Sequence, residues 1–219
     1  SEMYLGFDAK KFYYIKTLFF HDGKTIFDLN ILSQSWHPHY ASYLWGFFWT
    51  LSFVDVEYFG RLFYLFLFCY SFFAISNINK EKIITYITFL FLLFLFYEYD
   101  YFKGHPEILI FSLLVLISKY FFLLTKNEKK DASLFLFLIF LLSNLILWIK
   151  SEGSVYFFII LFLLILQNQI LLKKRLTFLS LFIFSYFLKL AIYKITGLGL
   201  EEGLDDVYNL SYILGLDPI

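Results

Sequence analysis

Seven apolar runs, at 40–54, 62–77, 83–97, 107–124, 132–149, 154–172 and 176–193, fill most of this 219-residue chain, and clusters of charged residues separate them. A helix that crosses a bilayer needs about 20 mostly apolar residues, with about 17 as a lower limit. Four of the runs reach that limit, whereas 62–77 and 83–97 must recruit flanking residues. No run alternates with period two, and most are apolar on every face, as helices in lipid are. The expected fold is therefore an all-α polytopic bundle of about six spanning helices. The composition agrees: 60% of the residues are hydrophobic and only 16% are charged. A water-soluble fold of this size has too little interior to hide so much apolar material. Soluble globular, disordered and collagen-like classes are excluded on that ground.

Charge sets an expected sidedness. Lys80-Glu81-Lys82, then Lys126 with Lys129 and Lys130, then Lys173-Lys174-Arg175 form three basic loops. About 44 residues separate successive clusters, enough for a hairpin of two spans of about 20 residues each. The positive-inside rule places all three in the cytoplasm. Loops 98–106 and 150–153 and the tail from 194 then fall outside. Residues 55–61 fall outside as well, and the polar N-terminal 40 residues read as an outer loop. Run 40–54 thus starts and ends on one side. It is short and carries Trp45 and Trp49, and indole rings favour the membrane boundary. It is expected to be an interfacial or re-entrant helix; the alternative is a crossing with a cytoplasmic N-terminal loop. The resulting division is an outer first loop over 1–60, a transmembrane module over 61–193 and an outer tail over 194–219. The ends of the chain predict a piece of a longer protein.

This topology gathers the polar chemistry on one face. Residues 1–40 carry Asp8, Lys10, Lys11, Lys16, His21, Asp22, Asp28, His37 and His39. The second outer loop carries Asp100, Lys103, Gly104, His105 and Glu107, and the third carries Lys150, Glu152 and Gly153. Ionised groups at span ends are costly unless paired or wetted. Their convergence predicts an outward-facing site between helices. Each also has an ordinary reading. Lysines at span ends snorkel to head groups, outer carboxylates are commonly just solvated, and the tyrosines and tryptophans suit an interfacial belt. His37-Pro38-His39 supplies two ligands for a metal and no clear third. No phosphate-binding glycine loop, nucleophile elbow or zinc-protease helix is present in the sequence. Zero formal net charge, with 18 basic and 18 acidic residues, gives no general attraction to nucleic acid. The lone cysteine, Cys69, excludes an internal disulfide and reads as a small buried hydrophobe.

Together these pieces resemble the bacterial GT-C-fold glycosyltransferases, polytopic enzymes related to the protein mannosyltransferases and the lipid A aminoarabinose transferases. "GFDAKKFYYIKTLFFHDG" followed by "WHPHYASYLW" is similar to that family's first extracytoplasmic loop, with Asp8, Lys16-Thr17 and His37-Pro38-His39-Tyr40 matching. Arg61 opening a span, "KGHPEILIFSLLV" with Glu107 in the acidic position, and "LWIKSEG" with Lys150, Glu152 and Gly153 continue the likeness. It covers most of residues 5–160. It departs at Tyr40, which is followed by Ala41 where the branch usually has proline, and it lacks the family's first span and C-terminal half.

The resemblance implies transfer of a sugar from a polyprenyl-phosphate donor to a lipid, glycan or protein acceptor. The expected setting is the outer face of a bacterial inner membrane. It implies Asp8 as the catalytic base, and Lys150, Arg61 and Lys16 as cations for the donor phosphate. His37, His39, Asp100, His105, Glu107 and Glu152 would support substrate or structure, and a divalent cation is a possible cofactor. Two other readings stay open. One is a transporter or channel, for which Lys119 and Lys189 inside apolar runs would line a path. The other is a polysaccharide ligase or polymerase of the outer leaflet.

Overall fold

A computed structural model describes residues 5–7, 9–32, 35, 38–77, 82–99, 101–126, 132–167 and 170–198. Every regular element among them is helical. The N-terminal part holds a π-helical stretch, Ala9–Tyr14, that continues into α1 (Ile15–His21), then a 3₁₀ stretch (Ile26–Ile31) and α2 (Tyr40–Thr50). The bundle follows as α3 (Glu57–Ser76), α4 (Lys82–Glu98), α5 (Glu107–Lys126), α6 (Ala132–Ile149), α7 (Gly153–Leu166) and α8 (Leu172–Ile195). Four of these, α3, α5, α6 and α8, are long and apolar enough to cross a bilayer. The 17 residues of α4 and the 14 of α7 are apolar but shorter. At 1.5 Å per residue they span about 26 and 21 Å, against a hydrocarbon core of about 30 Å. Six helices thus stand in the bundle, and four meet the full length.

Helix boundaries move where charge is neutralised. The apolar run beginning at 62 becomes a helix beginning at Glu57, because Glu57 and Arg61 sit one turn apart and close on each other. Arg61 Nε donates to Glu57 Oε1 at 2.6 Å and Nη2 to Oε2 at 3.1 Å. The paired fork lets the chain carry both charges into a buried first turn. Helix α8 likewise starts at Leu172 rather than 176, with Lys173, Lys174 and Arg175 in its first turn. Lys174 Nζ reaches Ser133 Oγ at 2.7 Å, and Arg175 Nη1 reaches the Ile165 carbonyl at 2.9 Å. The expected boundary between residues 60 and 61 lies inside α3.

Helix α5 packs between α3 and α6. Phe68 and Phe72 of α3, Phe89 and Phe96 of α4, and Phe111 of α5 form one aromatic cluster. Phe140, Phe157 and Phe182 join α6, α7 and α8. Ser112 and Ser143 lie buried in this core and donate to the carbonyls four residues back, at 2.6 Å each. Each of these two hydroxyls is thereby satisfied within its own helix. Outward faces are apolar too: Leu90, Phe91 and Phe94 of α4 are each at least 60% exposed. A surface of that kind belongs against lipid or further apolar protein.

The bundle has two chemically distinct ends. Lys82, Lys126 and Lys173–Arg175 all belong to helix ends on one side, as the charge pattern predicts. The N-terminal part covers the opposite end. Its polar first 40 residues, expected to be a loop rather than a span, carry only short helical segments. Gly46 of α2 lies against the backbone of α1, where an added Cβ would stand 2.9 Å from the Thr17 carbonyl oxygen. Gly60 of α3 lies equally close to α2, with 2.5 Å to the Trp45 carbonyl oxygen. Two glycines therefore set the α1–α2–α3 stack. Tyr64 clamps it by donating to the Ala41 carbonyl at 2.9 Å, and Ser42 donates to the Tyr13 carbonyl at 2.9 Å. The 11 residues of α2 span about 16 Å, too short to cross, in keeping with a helix that stays on one side. Its indoles face inward: Trp45 is fully buried in the protein, and Trp49 nearly so.

Candidate functional site

Glu107 is the first residue of α5, directly after Pro106, whose missing N–H suits a helix start. Lys150 follows the last residue of α6, and Glu152 directly precedes α7. The α5–α6 pairing and the tight α6–α7 turn bring all three together. Lys150 Nζ stands 2.7 Å from Glu107 Oε1 and 3.2 Å from Glu152 Oε1. Gly153 makes the turn possible, since an added Cβ there would collide with the Ile146 carbonyl. Ser151 Oγ donates to Glu152 Oε2 at 3.1 Å. His105 Nδ1 stands 3.9 Å from Glu107 Oε2, too far for a hydrogen bond but near enough for attraction when the ring is charged.

Electrostatics follow from this arrangement. Burial pulls the Lys150 ammonium down, but the Glu107 hydrogen bond and the Glu107 and Glu152 charges outweigh it and hold the pKa above its ordinary value. For Glu152, burial pushes the carboxyl up, and its backbone hydrogen bond, Lys150 and Ser151 together bring it below the ordinary range. At neutral pH two carboxylates share one ammonium, so the group is net negative. A divalent ion does not fit this set as it stands, because Lys150 already fills the position between the two carboxylates. Among the described residues, no three His, Cys, Asp or Glu side chains gather as a metal site.

The second outer loop is seated on the first. Gly6 N–H donates to the Lys103 carbonyl at 3.0 Å. Gly104 has φ +95°, and an added Cβ would lie 2.9 Å from Trp45 Cη2 and 3.0 Å from Ala9 Cβ. Both the left-handed backbone and the close approach demand glycine there. The His105 ring abuts Gly6, where a Cβ would meet Nε2 at 2.5 Å. Residues 5–7 and 9, loop 103–107 and turn 150–153 thus form one contiguous patch. Asp8, His37 and Asp100 lie outside the described residues.

The other expected site residues fall into two further groups. Arg61 is buried, bound to Glu57 and set beneath the Trp45 ring, 5.7 Å from its centroid. Lys16 and His39 are buried on the α1–α2 side, within electrostatic range of each other and of Lys189 from α8. The His39 ring lies 5.7 Å from Tyr193 and 6.2 Å from Trp148. Lys189 Nζ donates to the Leu147 carbonyl at 2.7 Å, capping the last turn of α6. Sequence reasoning noticed Lys189 as a charge in an apolar run but not Tyr193, one turn later on the same face of α8. Cys69 is half-buried in α3 rather than fully enclosed.

The His39 environment makes a pH prediction. Burial pulls the imidazole down to about 4 from 6.5, and Lys16 and Lys189 push the same way. The folded protein then binds fewer protons here than the unfolded chain. The stability linked to this group is full above pH 6.5 and declines on acidification towards pH 4. Thermal unfolding of His39→Asn should lose less stability than wild type between pH 7 and 5, by about 2 kcal/mol. Equal losses in both proteins would exclude a buried, neutral His39.

A scan against protein-family models, a search of curated proteins and a search of solved structures each return no match.

Proposed function

We propose that the chain is a membrane glycosyltransferase that moves a sugar from a polyprenyl-phosphate donor to an acceptor at the outer face of the membrane. The observation that carries this reading is the contiguous patch of residues 5–7 and 9, loop 103–107 and turn 150–153, at the bundle end opposite the basic loops. Two segments far apart in sequence bring histidine, carboxylate and ammonium groups together there, and residues 5–7 and 9 pack beside them. The positive-inside rule makes that end extracytoplasmic.

The chemistry required is modest. An acceptor hydroxyl attacks the anomeric carbon, the bond from that carbon to the phosphate oxygen breaks, and the hydroxyl proton passes to a carboxylate. Asp8 is the proposed base, on the strength of the family resemblance; a carboxylate within about 3 Å of the hydroxyl suffices. The Glu107–Lys150–Glu152 group is net negative and rich in acceptors. It suits hydroxyls of the sugar or acceptor better than a phosphate. Lys150 then acts by holding two carboxylates in place, while the phosphate needs a cation elsewhere.

The test is transfer of a radiolabelled sugar from its polyprenyl phosphate, in membranes carrying the longest natural form of the chain. Asp8→Asn should abolish transfer, with expression and thermal unfolding unchanged. Normal turnover in that variant would remove Asp8 from the mechanism. Solute uptake by sealed vesicles, with no transfer at all, would select the transporter reading instead.

A further inference from the structure

The basic end of the bundle carries a second set of charges, on the side opposite the carboxylate group. Helix α8 begins with Lys173, Lys174 and Arg175 in its first turn and has no acidic residue there. Acids are the favoured residues at that position, because free N–H groups and the helix dipole make a helix start electropositive. Three bases oppose that preference, and no side chain caps the start of α8. Among the described residues, no carboxylate pairs with any of the three. Lys174 Nζ spends one N–H on Ser133 Oγ, and Arg175 Nη1 donates to the Ile165 carbonyl. These contacts draw the ends of α6, α7 and α8 together around the charge. They leave it short of partners, since Arg175 Nε is buried without a hydrogen bond.

Depth sharpens the demand. The 18 residues of α6 span about 27 Å and the 14 of α7 about 21 Å, against a hydrocarbon core of about 30 Å. Lys150 and Glu152 join the other ends of the same two helices and fix them at the outer surface. Measured from there, Ser133 and Ile165 stand short of the opposite boundary, and the Lys174 and Arg175 head groups stand with them. Long basic side chains at such a depth ordinarily snorkel outward, but these two are turned onto the protein. The surroundings are apolar and open. Leu171, Leu172 and Leu176 are exposed, and α8 is the least enclosed of the four full-length spans.

An occupant of this place must bring negative charge to the first turn of α8, accept several hydrogen bonds and lay apolar chains along the leucines. An anionic phospholipid does all three. A soluble anion makes no use of the leucines, and a zwitterionic lipid brings a cation of its own. The wider face has the same sign: loops 78–82, 126–131 and 167–175 hold eight bases against three acids. We propose that Lys173, Lys174 and Arg175, at the joined ends of α6, α7 and α8, bind the head group of an anionic phospholipid of the cytoplasmic leaflet. The phosphodiester accepts from the two ammonium groups, from the unused N–H groups of Arg175 and from the free backbone N–H groups of the first turn of α8. The inference uses only the spans and their sidedness, so it stands apart from the transferase reading.

The experiment follows thermal unfolding of the full chain in neutral detergent micelles while dioleoylphosphatidylglycerol or dioleoylphosphatidylcholine is titrated in. The anionic lipid should raise the melting temperature and saturate, at a mole fraction at least about tenfold below that needed for the zwitterionic one. Lys173 is exposed, so Lys173→Gln should melt like wild type without lipid and bind phosphatidylglycerol about fivefold more weakly. Adding Arg175→Gln should bring the loss to about 25-fold. Lys82→Gln, at the start of α4 against α3, should change the affinity by less than about twofold. Equal response to the two lipids would overturn the proposal, and so would wild-type affinity for phosphatidylglycerol in both variants. An equal loss in Lys82→Gln would overturn it too, by making the attraction a property of the whole basic face. Protection by free glycerol phosphate at the concentration of the lipid would overturn the assignment to a phospholipid. No arm involves a sugar, so failure of transfer leaves the result unaffected.

Discussion

Replacing Trp45 with alanine is expected to unseat the N-terminal part from the bundle and to lower stability by about 3–5 kcal/mol. Its side chain is fully buried, yet it sits on an 11-residue helix outside the spanning set. The ring meets Tyr14 and Tyr64, at 6.0 and 6.2 Å between centroids, and Gly104 closes on its far edge. The indole N–H points to the Glu57 carbonyl at 3.4 Å. The ring also covers the Arg61 guanidinium. Alanine would leave a cavity bordered by a buried ion pair, and water entering it would loosen α2 from α3. Gly104 would lose the surface that positions His105, so sugar transfer should fall together with stability. Thermal unfolding in detergent and proteolytic cleavage within residues 5–50 report the two effects. Trp45→Phe should restore most of the melting temperature, because it refills most of the volume. Wild-type melting and protease resistance in Trp45→Ala would mean that the first loop is held in some other way.

The same residue shows where sequence reading stops. Trp45 and Trp49 were expected at a membrane boundary, because indoles in short apolar runs usually lie there. Their burial depends on Gly60, fifteen positions from Trp45, whose lack of a side chain lets α2 sit on α3. No local pattern announces that contact. The basic loops were legible, since Lys82, Lys126 and Lys173–Arg175 obey a rule about charge along the chain. The start of α3 was not, because the expectation stopped the apolar run at Arg61 and the structure neutralises Arg61 from Glu57. The Glu107–Lys150–Glu152 group was expected only as convergence on one face. That Lys150 lies between two carboxylates required the distances. Tyr193 was missed because a tyrosine in an apolar helix looks like core until its hydroxyl is found without a partner.

Removing the Lys150 charge, as in Lys150→Met, is expected to lower sugar transfer by about 100-fold or more, the scale associated with losing one preorganised polar contact in a site. It should also cost about 1–3 kcal/mol of stability, less than for a fully buried pair because the lysine side chain is 23% exposed. The methionine keeps the stem but leaves Glu107 Oε1 and Glu152 Oε1 facing each other without a cation. The pH dependence has a defined sign. Lys150 titrates above its ordinary 10.5, so its contribution is full below that value and disappears as pH rises through the folded pKa. Glu152 titrates below its ordinary 4.5, so its contribution is full above that value and disappears as pH falls through the folded pKa. The stabilisation should therefore form a plateau between those limits, and Lys150→Met should remove it. Adding Glu107→Gln to Lys150→Met deletes one of the stranded carboxylates and should recover part of the stability, as coupled neighbours do in a double-mutant cycle. Under the proposed function, transfer should stay low in the double variant, because a carboxylate proposed to hold substrate hydroxyls and the lysine that positions it are then both altered. If transfer recovers along with stability, Lys150 and Glu107 serve only to join α5 to α6, and the substrate must be held elsewhere.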